Sequence, residues 1–133
     1  MNNANNTISG SELLEGMRNL TLDPKFFDHE AHVKLGWLLI KENGLENAIH
    51  EVSQLIKTYA EHLGATNKYH ETVTRVSMLL IDERMTDRDQ TFEEFIDKHP
   101  ELLNNFMKLV ASKYSFDVFA SELARIEFIE PDR

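Results

Sequence analysis

Between Gly44 and Gly64 the chain reads LENAIHEVSQLIKTYAEHL, with Leu45, Ala48, Ile49, Val52, Leu55, Ile56, Tyr59, Ala60 and Leu63 recurring at steps of three and four. That period places all nine on one face of a helix, whereas a strand would scatter them over both of its faces. A glycine past the last apolar residue supplies the left-handed stop that ends such a helix. A one-sided helix of this length must be covered by others, so the chain is expected to be all-α. His50 falls on the opposite face and is expected to be solvated.

The flanking segments repeat the pattern. Asp28 has the carboxylate of a good N-cap, and a helix is predicted from there to Asn43, with Gly44 as its stop. His29, His32, Val33, Gly36, Leu39 and Ile40 share its inward face, and Gly36 implies that something comes close to the backbone there. A third helix is predicted over about Asn67–Arg84, with Tyr69, Thr72, Val73, Val76, Leu79 and Leu80 inward, His70 on its flank and Glu71 further out. Thr91 and Glu94 form a capping box for a short helix carrying Phe92, Phe95 and Ile96. His99-Pro100 interrupts it as a turn, and a further helix is expected over Glu101–Lys113. A last one is expected over Phe116–Leu123, followed by an extended tail, and a short one over Ser11–Asn19 precedes the core.

The expected architecture is therefore a single-domain bundle of about five or six helices, with an antiparallel three-helix core and the C-terminal helices packed against it. Residues 1–10, rich in asparagine, are expected to be flexible, and residues 11–133 to form one helical domain. Trp37 and Leu38 lie off the histidine face. Packing by the terminal helices is the favoured explanation, with a homodimer interface as the alternative.

Composition prunes the functions. A net charge of −9 opposes a nucleic-acid groove or an anionic membrane surface, both of which reward clustered lysine and arginine. No stretch approaches the roughly 20 apolar residues that a spanning helix needs. The absence of cysteine removes disulfides, thiolate metal sites and cysteine nucleophiles. The N-terminus, MNNANNTISGSELLEG, has no basic segment followed by an apolar run, so a cytoplasmic protein is expected. No serine sits in a nucleophile elbow, the few glycines form no phosphate loop or dinucleotide fingerprint, and the acidic positions 82–94 lack the spacing of a calcium loop.

The chemistry that remains is histidine chemistry. Short loops make the three core helices run up, down and up, so the start of the first, the end of the second and the start of the third share one end. His29, His32, His62 and His70 gather there with Tyr59, Tyr69, Glu71 and Thr74. His29 and His32 are an i, i+3 pair, close enough to share an ion, and the four histidines are the candidate ligands of a divalent transition metal. The spacing is neither that of a zinc protease nor that of a four-helix di-iron bundle. Without a metal, the imidazoles, Tyr59, Tyr69, Glu71 and Thr74 would orient a small molecule, and the two helix N-termini would favour an anionic one. Histidines that merely satisfy backbone groups are the third alternative.

The stretches F-x-H-x-x-H at 27–32, Trp37, Y-H-E-T-V-T at 69–74 and A-R-x-x-F-x-x-P-D-R at 124–133 resemble a group of small, predominantly helical bacterial proteins of uncharacterised activity. The resemblance spans about residues 26–133 and implies a helical fold but no activity. The function expected from the residues is small-ligand binding or metal-dependent chemistry in a His-rich pocket, with enzyme status open. The alternative is a protein-interaction or regulatory module whose histidines are structural.

Overall fold

The computed structural model describes residues 8–87 and 90–133, and the regular elements among them are all helical. They are α1 (Gly10–Arg18), α2 (His29–Asn43), α3 (Leu45–His62), α4 (Glu71–Asp82), α5 (Phe92–Lys98), α6 (Glu101–Asn104), α7 (Phe106–Ala111) and α8 (Glu122–Ile126). Single tighter turns occur at Pro24–Phe26 and Thr66–Lys68. The Asn-rich residues 2–6 lie outside the described residues, as do residues 88 and 89 among the acidic positions 82–94.

Caps account for most of the boundaries. The Ser9 hydroxyl accepts from the Glu12 amide while the Glu12 carboxylate accepts from the Ser9 amide, so α1 begins inside the segment expected to be flexible. Asp28 caps α2 by accepting from the Ala31 amide at 2.9 Å, and the same reciprocal box joins Thr91 and Glu94 at the start of α5. Gly44 and Gly64 take φ of 82° and 71°, as the stops require.

Three expectations need correction. The helix expected to start at Asn67 begins at Glu71, because the chain turns at Thr66–Lys68 and is extended at Tyr69 and His70. The helix expected over Glu101–Lys113 is broken at Asn105, whose φ of −138° divides it into α6 and α7. The last helix is displaced from Phe116–Leu123 to Glu122–Ile126, because Ser121 caps the Ala124 amide whereas Asp117 folds the preceding residues into a turn.

Helices α2, α3 and α4 pack on one another, α1 lies across α2 and α3, α6 meets α2, and α7 and α8 meet α4. Leu35, Leu39, Ile40, Val52, Val76, Leu80, Phe95 and Leu102 are buried at the centre. The α3 stripe is only partly covered: Ala48, Val52 and Tyr59 are buried, Leu45, Ile49, Leu55 and Ile56 are half-buried, and Leu63 at its end is exposed. Trp37 is buried with its ring centroid 5.6 Å from that of Phe92 and 6.3 Å from that of Phe95, so α5 covers it, as the packing explanation expects. Gly36 is where α4 comes close: a β-carbon there would lie 2.9 Å from Met78 Sδ and 3.0 Å from Ile81 Cδ1.

The C-terminal tail is strapped to the bundle. The buried Thr72 hydroxyl donates to the Glu127 carbonyl at 2.8 Å and accepts from the Ile129 amide at 2.9 Å. Tyr114 donates to the Ile129 carbonyl at 2.6 Å, and Asp132 accepts from the Ser115 amide and hydroxyl. The start of α4 is thereby held by residues more than fifty positions away. Among the described residues no helix is long and apolar enough to cross a membrane.

Candidate functional site

The first turns of α2 and α4 border one cavity, as an up, down, up core requires. Its volume is about 350 Å³, and His29, His32 and His70 all line it, together with Tyr69 and Thr74. Val33, Val52, Ile56, Val73, Met78 and Ile81 give it an apolar floor, and Phe27 and Phe106 flank the imidazoles. Not every candidate reaches it. The Tyr59 hydroxyl donates to the Leu22 carbonyl at 2.9 Å and fixes the loop after α1, and burial is the main reason its pKa is raised. His62 is exposed in the last turn of α3 and is not part of the lining. Glu71 lines a separate polar groove between α3 and α4.

Each of the three cavity histidines has a defined hydrogen-bonding role. Because a carbonyl only accepts, His29 donates through Nε2–H to the Leu102 carbonyl at 2.9 Å, and His32 donates through Nδ1–H to the Asp28 carbonyl at 3.0 Å. In the neutral rings this leaves Nδ1 of His29 and Nε2 of His32 as acceptors. Phe27 stacks on His32 with ring centroids 3.9 Å apart, and Phe106 lies 4.6 Å from His29. Both histidines were expected to face the core, but both are exposed at the open side of the cavity. The pKa of His32 is lowered from 6.5, chiefly because surrounding protein displaces water from the imidazolium; its bond to Asp28 opposes the shift and neighbouring His29 adds to it. The ring keeps exposed surface, so crowding on its other sides, not enclosure, disfavours the charge.

His70 differs from the other two. Its Nδ1 accepts from the Val73 amide at 3.1 Å, which makes it the N-cap of α4, and its Nε2–H donates to the Val118 carbonyl at 3.0 Å. Both ring nitrogens are committed, and neither has a lone pair for a metal. The expectation of one ion shared by His29, His32 and His70 therefore lacks its third ligand. Among the described residues no group of three or more His, Cys, Asp or Glu side chains is arranged to hold a metal ion.

The hydroxyls at the α4 wall are also engaged. Tyr69 donates to Glu71 Oε1 at 2.5 Å, and Arg75 Nε donates to Glu71 Oε2 at 2.6 Å. Burial, followed by the bond to Glu71, pushes the Tyr69 phenol up to about 12. Ser77 donates to the Val73 carbonyl at 2.5 Å. Ser53 is buried on α3 near the Tyr69 hydroxyl, and among the described residues its Oγ has no hydrogen-bond partner. Asp28 caps α2, and Lys68 is exposed at the margin of the cavity. The caps Asp28 and His70 take first-turn amides at both helix N-termini, which weakens the case for an anion there.

Sequence reasoning did not assign Phe106, Lys68 or Ser77 to the site. For Phe27 the signal was present, since it precedes His32 within the F-x-H-x-x-H stretch. For Phe106 no local signal exists, because its contact with His29 arises only when α7 folds back on the core. Comparison of the chain with family models, curated proteins and solved structures finds no match.

Proposed function

We propose that the protein binds a small organic molecule in the cavity between α2, α3 and α4, without a metal. The observation that carries this reading is the cavity itself. Its volume of about 350 Å³ falls within the usual range of roughly 300–1,000 Å³ for small-molecule sites, and its apolar floor with a few converging polar groups has the usual chemistry of one. A metal centre is the weaker reading because His70 is used up by the fold at both ring nitrogens. Whether the bound molecule is then transformed is a separate question, and the lowered pKa of His32 suits a neutral base more than an acid.

A screen of small aromatic and aliphatic fragments by amide chemical-shift mapping tests the proposal. Hits should move resonances of Val33, Val73 and Met78, and Ser77→Leu, which fills the cavity at the loss of one local hydrogen bond, should weaken them by about tenfold or more. Hits that bind elsewhere, or that tolerate the filled cavity, would count against it. The alternative of an interaction module has one specific observation behind it, the exposure of Leu123 and Ile126 one turn apart on α8. Sedimentation that shows association abolished by Leu123→Lys with Ile126→Glu would favour that reading.

A further inference from the structure

The cavity's polar groups are not balanced between donors and acceptors. At the α2 wall His29 and His32 each fix a proton on a backbone carbonyl, at 2.9 Å and 3.0 Å, and each keeps an accepting nitrogen. At the α4 wall the Ser77 hydroxyl proton is directed to the Val73 carbonyl, so this oxygen too offers lone pairs, while the Tyr69 hydroxyl donates to Glu71 and has the Thr74 hydroxyl beside it. Among the described residues of the lining Lys68 is the one ammonium, and it is exposed at the margin.

From this imbalance we infer that the ligand is an apolar alcohol or phenol, whose hydroxyl donates to the free nitrogen of His29 or His32 while its body occupies the floor formed by Val52, Ile56, Val73 and Met78. The inference rests on the proposed small-molecule site and adds the class of molecule. Water satisfies these exposed nitrogens until a ligand covers them, and an acceptor covered without a match is costly, so a ligand with a proton to give gains where a purely accepting one loses. An anion meets the accepting nitrogens and the Asp28 carboxylate, and an ionised group of either sign loses its hydration against the apolar floor. Size is consistent with a bicyclic body. A dry cavity of about 150 Å³ accepts benzene, and this one is more than twice as large.

The contacts that fix the tautomers also provide the test. Asn carries an amide nitrogen where His carries Nδ1, and Gln carries one where His carries Nε2. His32→Asn can therefore keep the bond to the Asp28 carbonyl, and His29→Gln the bond to the Leu102 carbonyl, while each removes the acceptor at the place of the free ring nitrogen, its own amide oxygen lying elsewhere. Binding of 2-naphthol, naphthalene, 2-naphthoate and 2-(aminomethyl)naphthalene to the full chain would be measured by amide chemical-shift titration, alongside the melting temperature of each variant. Naphthol is expected to bind about tenfold tighter than naphthalene and more tightly than the anion or the ammonium compound. In His32→Asn or His29→Gln the ratio of naphthol to naphthalene affinity should collapse from about ten towards one, whatever the change in naphthalene affinity itself.

Naphthoate binding as well as naphthol would overturn the inference and leave the cavity reading standing. So would tightest binding by the ammonium compound, or a preference for naphthol that survives both substitutions. If none of the four perturbs the cavity resonances, the cavity reading fails and the inference falls with it.

Discussion

Gly36→Ala places one methyl group where α2 and α4 touch, and its consequences for stability and for binding should separate. The new β-carbon would lie 2.9 Å from Met78 Sδ and 3.0 Å from Ile81 Cδ1, against an ordinary contact of about 3.5–4.0 Å. Those neighbours must retreat by roughly 0.5–1 Å. Both are ends of flexible side chains, and both line the cavity of about 350 Å³, so the displaced atoms have somewhere to go. Overpacking a tight core costs about 1–3 kcal/mol, and relief into the cavity puts this case at the low end, near 1. Replacing a mid-helix glycine by alanine returns about 1 kcal/mol of helix propensity.

The two effects nearly cancel, so unfolding free energy should stay within about 1 kcal/mol of the parent, or roughly 4 °C in melting temperature. Urea unfolding followed by the fluorescence of Trp37, the only tryptophan, measures this directly. Naphthol affinity should nevertheless fall by about tenfold, because the retreating side chains enter the space that the ligand needs. A loss of more than about 3 kcal/mol, the upper end of overpacking costs, would refute the reasoning, since it would mean that the seam is rigid and the cavity gives no relief. Unchanged binding at unchanged stability would refute it from the other side.

Further outcomes follow from the same contacts. Thr72→Val keeps the shape of a buried side chain but removes both hydrogen bonds to the tail, and should cost about 2 kcal/mol in urea unfolding and increase proteolysis after residue 126. His70→Ala, which removes the cap of α4 and the bond to Val118, should destabilise by about 2 kcal/mol, whereas His70→Asn should recover about half by restoring a capping side chain. Because His32 binds its proton less readily in the folded chain than at its ordinary value of 6.5, the unfolded chain takes up more protons, and its contribution is full above that pH and lost as the pH falls below it. His32→Asn should flatten stability between about pH 5 and 7, while the further loss at lower pH should persist, from Glu101 held down by Arg84 and Asp132 by Ser115.

The parts of the fold that could be read from the sequence are those whose causes are local. The stripe from Leu45 to Leu63, the Asp28 cap, the Thr91 and Glu94 box and the two glycine stops each require only neighbouring residues, and their helices lie where those signals put them. Gly36 could be read as a point of close approach because a glycine inside a helix needs such a reason. The partner, Met78, needed the tertiary structure. Leu63 shows the limit of periodicity, since it belongs to the stripe by spacing but is exposed just past the last residue of α3. The break at Asn105 and the shift of α8 were missed because apolar spacing continues across both, and the deciding terms are one backbone conformation and the choice between Asp117 and Ser121 as the local organiser.

The histidines separate these levels most clearly. Spacing and short loops were enough to bring His29, His32 and His70 to one cavity, but they say nothing of what each ring nitrogen touches. That is decided by three backbone carbonyls and one amide, contributed by Asp28, Leu102, Val118 and Val73, two of them from the C-terminal third of the chain. Each carbonyl accepts from one nitrogen and so fixes the proton there, and the amide occupies the other nitrogen of His70 alone. The same contacts that dock α6 and the segment before α8 onto the core therefore make His70 a structural cap and leave His29 and His32 as acceptors at the cavity. A substitution that loosened the chain near Leu102 would free the His29 ring to turn or change tautomer, and so should alter the proposed preference for an alcohol or phenol without touching the cavity's lining.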